Sequence, residues 1–367
     1  MTARPNRTSR GVHAAPTRAA WGRPGPVSVS WLPAAGQPAL GEFALIERLR
    51  SIVPGGGAGV IVGIGDDTAV LQPGTLVLAT CDVQVEGIHF TRDLCTPADV
   101  GWRALAVNVS DIAAMGGVPR YALVSLLIPA SAGSAALEDL YGGMAELARL
   151  HGVAVVGGNV SATPGPLAVD ITVLGEAEHA VLRRGAQPGD GVWITGCAGK
   201  AAAGRFLLEH RDVAVAARET LEMAYRRPVA RVAAGRAFGN LARSGLVTAM
   251  IDTSDGTASD LLHLAEASGV GVRLDAAHLP VPAGLAEAAR AAGVAVDAWM
   301  LGGGEDYELL FTAAKAFDAR ANEAAAAAGV GITRIGDVLP EREGRWVATA
   351  AGEQRPLRAA GWDHLAR

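Results

Sequence analysis

The chain is poor in cysteine: of its 367 residues only Cys81, Cys95 and Cys197 are cysteines, and no two form a CxxC pair. That rules against a disulfide scaffold and a cysteine-pair zinc site, and it points to free thiols in a reducing, cytoplasmic compartment. No run of 18 apolar residues without breaks or charges occurs, so no membrane-spanning helix is expected. A net charge of −5 leaves no broad basic field to hold a nucleic-acid backbone. Small phosphorylated ligands stay compatible with that charge, because a bound cation reverses the local field.

Several familiar catalytic signatures are missing as well. The nearest string to a P-loop, Gly196-Cys197-Ala198-Gly199-Lys200-Ala201, has the wrong spacing and no Ser or Thr after the lysine. Gly63-Ile64-Gly65 runs on into Asp66-Asp67-Thr68 and lacks the third glycine of a dinucleotide fingerprint. There is no HRD or DFG set of a protein kinase, no HExxH and no GxSxG.

What the chain has is a 50% hydrophobic composition, enough for a substantial core, and a length that suits two domains. The first 40 residues stand apart. They carry Arg4, Arg7, Arg10, Arg18 and Arg23, several prolines and no acid, and they read as a disordered extension. An N-terminal domain is expected over residues 41–180 and a C-terminal one over 181–367, with the Pro188-Gly189 turn marking the junction.

Strand and helix patterns alternate throughout, giving a mixed α/β or α+β class. A helix is expected over Gly41–Arg50, and strands over Val60–Ile64 and Thr75–Cys81. The strongest helix signal is Asp99–Met115, with Asp99 as N-cap and an apolar stripe of Trp102, Leu105, Ala106, Val109, Ile112 and Ala113. Strands are also expected at Val153–Val156 and Val247–Ile251, and helices at Thr257–Ser268 and Ala314–Ala328.

Acidic residues gather in five short, mostly glycine-flanked clusters: Asp66-Asp67; Asp82 with Glu86; Asp111; Asp252 with Asp255; and Glu305-Asp306. One Asp-Gly motif alone is a turn. Five together ask for a cation, because converging carboxylates repel. Magnesium takes oxygen ligands from a few carboxylates, phosphates and water. Phosphoryl transfer needs positioning and charge neutralisation more than covalent help. Asn108 and Asp111 are three residues apart on one helix face and can reach a site together.

The strings GIGDD, DVQVEGIHF, ALAVNVSDIAAMGGVP, GGNVS, RRGAQPGD, IDTSDG, GGGEDYEL and GWDH, in that order, resemble the thiamine-monophosphate kinase family from about Gly41 to His364. That family is related to aminoimidazole ribonucleotide synthetase, selenophosphate synthetase and a hydrogenase maturation protein. The resemblance implies a two-domain fold whose N-terminal sheets pair across a homodimer into a barrel. It implies magnesium-dependent transfer of a phosphoryl group from ATP to thiamine monophosphate. It implies magnesium ligands at Asp67, Thr80, Cys81 (through its carbonyl), Asp82, Asp111, Asn159, Asp252 and Asp255. Of these, Asp67, Asp111, Asp252 and Asp255 would be catalytic. ATP contacts would come from Gly158, Asn159, Arg184 and Ser254, and substrate contacts from His89, Glu305 and Trp362.

Asn159 departs from the family pattern, which has Asp there. An amide offers an oxygen but no charge, so one metal is expected to bind more weakly. Two alternatives stand beside the kinase: a ligase like aminoimidazole ribonucleotide synthetase, and a nucleotide-binding dimer impaired by Asn159. The hydrogenase relative needs a C-terminal cysteine and selenophosphate synthetase an N-terminal one, and this chain has neither.

Overall fold

The computed structural model describes residues 48–54, 56, 59–62, 70–71, 76–349 and 353–359. The expected extension over residues 1–40 lies outside them, as does most of the expected helix at 41–50. The elements in chain order are β1 (Val60–Val62), β2 (Val70–Leu71), β3 (Leu76–Val85), α1 (Pro97–Ala114), β4 (Val118–Pro129), α2 (Ser134–His151), β5 (Ala154–Thr163) and β6 (Ala168–Ala177). The second half follows with β7 (Gly191–Thr195), α3 (Lys200–Glu209), α4 (Arg218–Arg226), α5 (Val232–Arg243), β8 (Val247–Asp252), α6 (Thr257–Ser268) and β9 (Gly271–Asp275). It closes with α7 (Leu285–Ala292), α8 (Val296–Gly302), β10 (Leu309–Ala313), α9 (Ala321–Ala328), β11 (Ile332–Leu339), β12 (Arg345–Ala348) and β13 (Gln354–Pro356).

The first half builds a four-stranded sheet in the order β3-β6-β4-β5, antiparallel except for the β4–β5 pair. The pleat sends alternate side chains to opposite faces. Val169, Ile171 and Val173 of β6 are buried in the core that also holds α1 and α2. Their β3 partners Gln84, Asp82 and Thr80 share that face. The other face is open and carries exposed apolar side chains around a polar row: Val77, Val83, Leu123 and Leu127 are 51%, 41%, 37% and 44% exposed. Strand β5 was expected to end at Val156, yet it runs to Thr163. Parallel pairing with β4, from Tyr121↔Ala154 to Pro129↔Thr163, uses the backbone groups of the glycine-rich stretch.

Helix α1 starts at Pro97, two residues before Asp99. Thr96 is the N-cap, its side chain accepting the Asp99 N–H while the Asp99 carboxylate accepts the Thr96 N–H, and Pro97 opens the helix. The expected one-sided stripe is replaced by burial nearly all round. Two glycines let α1 and α2 touch: a Cβ at Gly101 would overlap the Leu140 carbonyl, and one at Gly143 the Ala98 carbonyl.

The second half forms a seven-stranded sheet in the order β13-β12-β9-β11-β7-β10-β8, with only β12–β9 parallel. Strands β7 and β10 are wholly buried. Beside them Glu308, fully buried, accepts hydrogen bonds from Lys200 Nζ at 2.7 Å, Thr195 Oγ1 at 2.7 Å, and Arg231 Nε and Nη2 at 2.6 Å each. Burial alone would raise this carboxyl, and the two cations bring it below its ordinary value. The single helix expected over Ala314–Ala328 divides into a 3-10 turn, Lys315–Arg320, and α9.

The glycine contact between α1 and α2 makes a paired prediction. Gly143→Ala overpacks that contact and is expected to cost about 1–3 kcal/mol. Gly142→Ala points into open space and is expected to stabilise by about 0.4–1 kcal/mol, because it restricts the unfolded chain. Thermal unfolding of both variants checks the pair.

Candidate active site

The two halves meet along α1, and the acids converge there. Thr80 Oγ1 donates to Asp111 Oδ2 at 2.5 Å, and Ser110 Oγ donates across the junction to Asp252 Oδ2, also at 2.5 Å. Asn108 is buried and works as a clamp. Its Oδ1 accepts the Asp82 N–H at 3.0 Å and its Nδ2 donates to the Ala104 carbonyl at 3.1 Å. Asp252 arrives as the last residue of β8, and the turn after it carries Ser254 and Asp255 into the N-terminus of α6. A cleft of about 350 Å³ holds Asp82, His89, Asp111, Arg183, Ser254, Asp255 and Glu305. A second cavity of about 380 Å³ holds Thr80, Asp111, Arg183 and Asp252, so Asp111 and Arg183 face both.

Burial, with Asp252 close by, pushes Asp111 up to about 6 against the pull of Thr80 and Asp82. Asp252 rises to about 6 chiefly through burial, while Ser110 and Arg183 oppose. Asp260, on the first turn of α6, is pushed to about 8 by burial and then by Asp252 and Asp255. Its carboxylate accepts the Gly256 N–H at 3.0 Å and so braces the turn that presents Asp255. The site therefore holds more negative charge than its own donors satisfy.

At the other end of the cleft, His89 Nδ1 accepts the Val85 N–H at 3.0 Å, which puts the proton of the neutral ring on Nε2. Glu305 and Tyr307 have φ of 59° and 52°, the left-handed region that side chains seldom adopt. Backbone bonds hold them there, Glu305 N–H to Ser254 O at 2.7 Å and Tyr307 N–H to Thr253 O at 3.0 Å. Asp306 accepts the Gly199 and Ala201 N–H groups and Lys200 pairs with Glu308. The P-loop-like string at 196–201 is thus filled from within.

Thr80, Asp82, Asp111, Asp252, Asp255, Ser254, His89 and Glu305 are brought together as the sequence reading expected. Arg184 is not: it lines neither cavity, whereas Arg183 lines both. The two arginines stand side by side in the irregular link between β6 and β7, and the pair Arg183-Arg184 gave no signal as to which one lines the cleft. Cys81 lies on the open face of the sheet, where its thiol donates to Asp170 Oδ1 at 3.2 Å, so its side chain cannot join Thr80 and Asp82. Gly158 and Asn159 lie along β5 beside a separate cavity of about 70 Å³. Asn159 shares a cross-strand row with Ser125, Asp170 and Val83 on that open face. Asp67 and Trp362 lie outside the described residues. Among the described residues no three acids, histidines or cysteines form a ready cation cage.

Two family models match in succession, AIR synthase related protein, N-terminal domain, over residues 65–177, and the C-terminal domain over 187–348. The fold and the acid-lined junction thus define an AIR synthase-related protein. HypE, a hydrogenase maturation protein, shares this fold at 20% identity and a TM-score of 0.68. Closer likeness runs in one direction. The chain is 36% identical to the thiamine-monophosphate kinase of Bacillus subtilis, over 83% of this chain and 94% of that one. It is 36% identical to that of Escherichia coli K12, over 89% and 99%. The crystal structure of thiamine-monophosphate kinase from Stenotrophomonas maltophilia superposes with a TM-score of 0.72 at 33% identity, covering 86% of this chain and 98% of that one. AaThiL complexed with AMPPCP and TMP does so with a TM-score of 0.70 at 33% identity, covering 90% and 100%. The chain belongs to the thiamine-monophosphate kinase family.

The crowding of Asp111 and Asp252 has a stability consequence in metal-free protein near pH 8, where both must ionise. Asp252→Asn keeps an oxygen for Ser110 and removes one buried charge. It is expected to stabilise the chelator-treated protein by about 1–3 kcal/mol, read as a higher Tm.

Proposed function

We propose that the chain transfers the γ-phosphoryl group of ATP to thiamine monophosphate, giving thiamine diphosphate and ADP. The carrying observation is that Asp82, Ser254 and Asp255 line one cavity between the two halves, Thr80 and Asp252 line the next, and Asp111 lines both. The names of the curated relatives and the AMPPCP and TMP complex of AaThiL support the same reading.

An oxygen of the acceptor phosphate bonds to the γ-phosphorus of ATP. The bond from that phosphorus to the β–γ bridging oxygen breaks, and its electron pair leaves with ADP. The acceptor is already anionic near neutral pH, so no strong base is required. The work left to the protein is alignment and charge balance. Thr80, Asp82, Asp111, Asp252 and Asp255 fit magnesium, since all are oxygen donors and the desolvated Asp111 and Asp252 carboxylates lack a counter-charge. Asp67 joins them by the family pattern, and Cys81 through its carbonyl. When bound, magnesium neutralises phosphate charge and holds the two phosphates in register. Thr80 and Ser110 aim the carboxylates by donating to one oxygen of each. Ser254 and Arg183 are the ATP contacts within the cleft, with Arg183 taking the role the sequence reading gave to Arg184. His89 and Glu305 face the thiamine moiety, and by the family pattern Trp362 is a third contact for it.

The open apolar face of the first sheet supports a homodimer in which two such faces meet. Burial of that face also takes Cys81 and the Ser125–Asn159 row out of solvent; Gly158 and Asn159 lie beside a separate cavity and not in the acid-lined cleft. No helix among the described residues is long and apolar enough to cross a membrane, and three free thiols suit a cytoplasmic setting.

Purified protein incubated with ATP, magnesium and thiamine monophosphate is expected to form thiamine diphosphate, and a chelator to stop it. Absence of product overturns the proposal. Asp111→Asn is expected to lower kcat by about 10²–10³-fold. Arg183→Ala is expected to raise the KM for ATP about tenfold, while Arg184→Ala stays within about twofold. Val83→Glu combined with Leu127→Glu is expected to convert the dimer to a monomer, read by sedimentation.

A further inference from the structure

Arg103 is the largest fully buried side chain of the molecule's described part, at 0% exposure, and it is a cation. It sits on the second turn of α1, in the first half, yet most of what it touches comes from the second. Its Nη1 donates to the Tyr225 carbonyl on α4, its Nη2 pairs with Glu305 Oε1, and its Nε donates to Gln84 Oε1 at 3.0 Å on β3. The guanidinium also lies over the Tyr225 ring, 4.7 Å from its centroid. Burial alone would lower its basicity, and Glu305 and its neighbours hold it above its ordinary value.

A buried ion pair is a poor way to gain stability, since well-packed apolar residues of the same volume do as well or better. What it supplies is direction. The guanidinium has its donors in a rigid planar fork, and here that fork is pinned from three segments, so it has one orientation. Glu305 is the one member that is not buried: its side chain is 29% exposed and lines the cleft with His89 and Arg205. Only its Oε1 meets Arg103, and among the described residues no donor is bonded to Oε2. The Glu305 backbone sits at φ of 59°, a strained conformation that persists only where surroundings impose it.

We infer that Arg103 is a positioning residue for substrate selection: it anchors Glu305 across the junction and leaves one carboxylate oxygen aimed at the acceptor. The inference deepens the kinase reading and rests on it. The pair is close to neutral overall, so Glu305 offers the acceptor a directed hydrogen-bond acceptor rather than one more loose negative charge beside Asp255. The group it selects is an N–H donor on the acceptor, and ATP binding does not depend on it.

The test is steady-state kinetics of Arg103→Lys, Arg103→Met and Glu305→Gln, with wild-type turnover of thiamine monophosphate established first. Each variant is expected to raise the KM for thiamine monophosphate about tenfold or more, with kcat and the KM for ATP within about threefold. Arg103→Met combined with Glu305→Gln is expected to be no worse than either alone, because both remove one interaction. Arg103→Lys keeps the charge and the fold, so it carries the test even if Arg103→Met does not fold. An unchanged KM in Arg103→Lys, or a loss spread equally over kcat and both KM values, overturns the positioning role and leaves the kinase reading intact. No turnover by the wild type overturns both.

Discussion

Everything at the junction depends on one constraint: α1 is buried on nearly all sides and yet carries Arg103, Asn108, Ser110 and Asp111. Polar groups removed from water must find partners, and here most partners lie on other segments. Asn108 binds the backbone of β3, Ser110 reaches Asp252 at the end of β8, and Arg103 reaches α4 and the Glu305 loop. Satisfying the helix therefore fixes the second half against the first. The same bonds that avoid a desolvation cost place the functional acids.

The acids themselves pull the other way. Asp111, Asp252 and Asp260 are crowded and partly desolvated, and each is pushed above the usual carboxylate range. A fold selected for stability alone would not keep them so close. Elsewhere the chain treats buried charge differently: Glu308 is surrounded by Arg231, Lys200 and Thr195 and falls below its ordinary value. The contrast separates an acid that holds the fold together from acids that await a counter-charge. The left-handed backbone at Glu305 and Tyr307 belongs with the second group, since strain of that kind persists where function requires a set direction.

Much of this was legible in the sequence. The clusters around Asp82, Asp111, Asp252 and Glu305 were visible as glycine-flanked acids, and their order along the chain carried the family. The α1 helix was visible too, but its cap was displaced: Asp99 looked like an N-cap, whereas Thr96 is one and Asp99 is its reciprocal partner. The rest was hidden for definite reasons. Parallel pairing extends β5 through glycines that locally favour a turn. Pleating puts Cys81 and Asn159 on the face away from Asp82 and Asp111, although they stand in the same motifs. An irregular link between β6 and β7 sets Arg183, and not its neighbour Arg184, at the edge of both cavities.

By itself the sequence determined which chemistry is present: oxygen donors, few thiols, no P-loop and no broad basic surface. Those are properties of residue type and local spacing, and they survive any folding of the chain. Which of those residues meet was decided only by the tertiary structure. Facing depends on strand pairing and on the junction of two halves, and both are set by contacts between residues far apart in the chain. Arg103 shows the difference most plainly, because a lone arginine in an apolar helix reads as nothing until Glu305, some two hundred positions later, is found beside it.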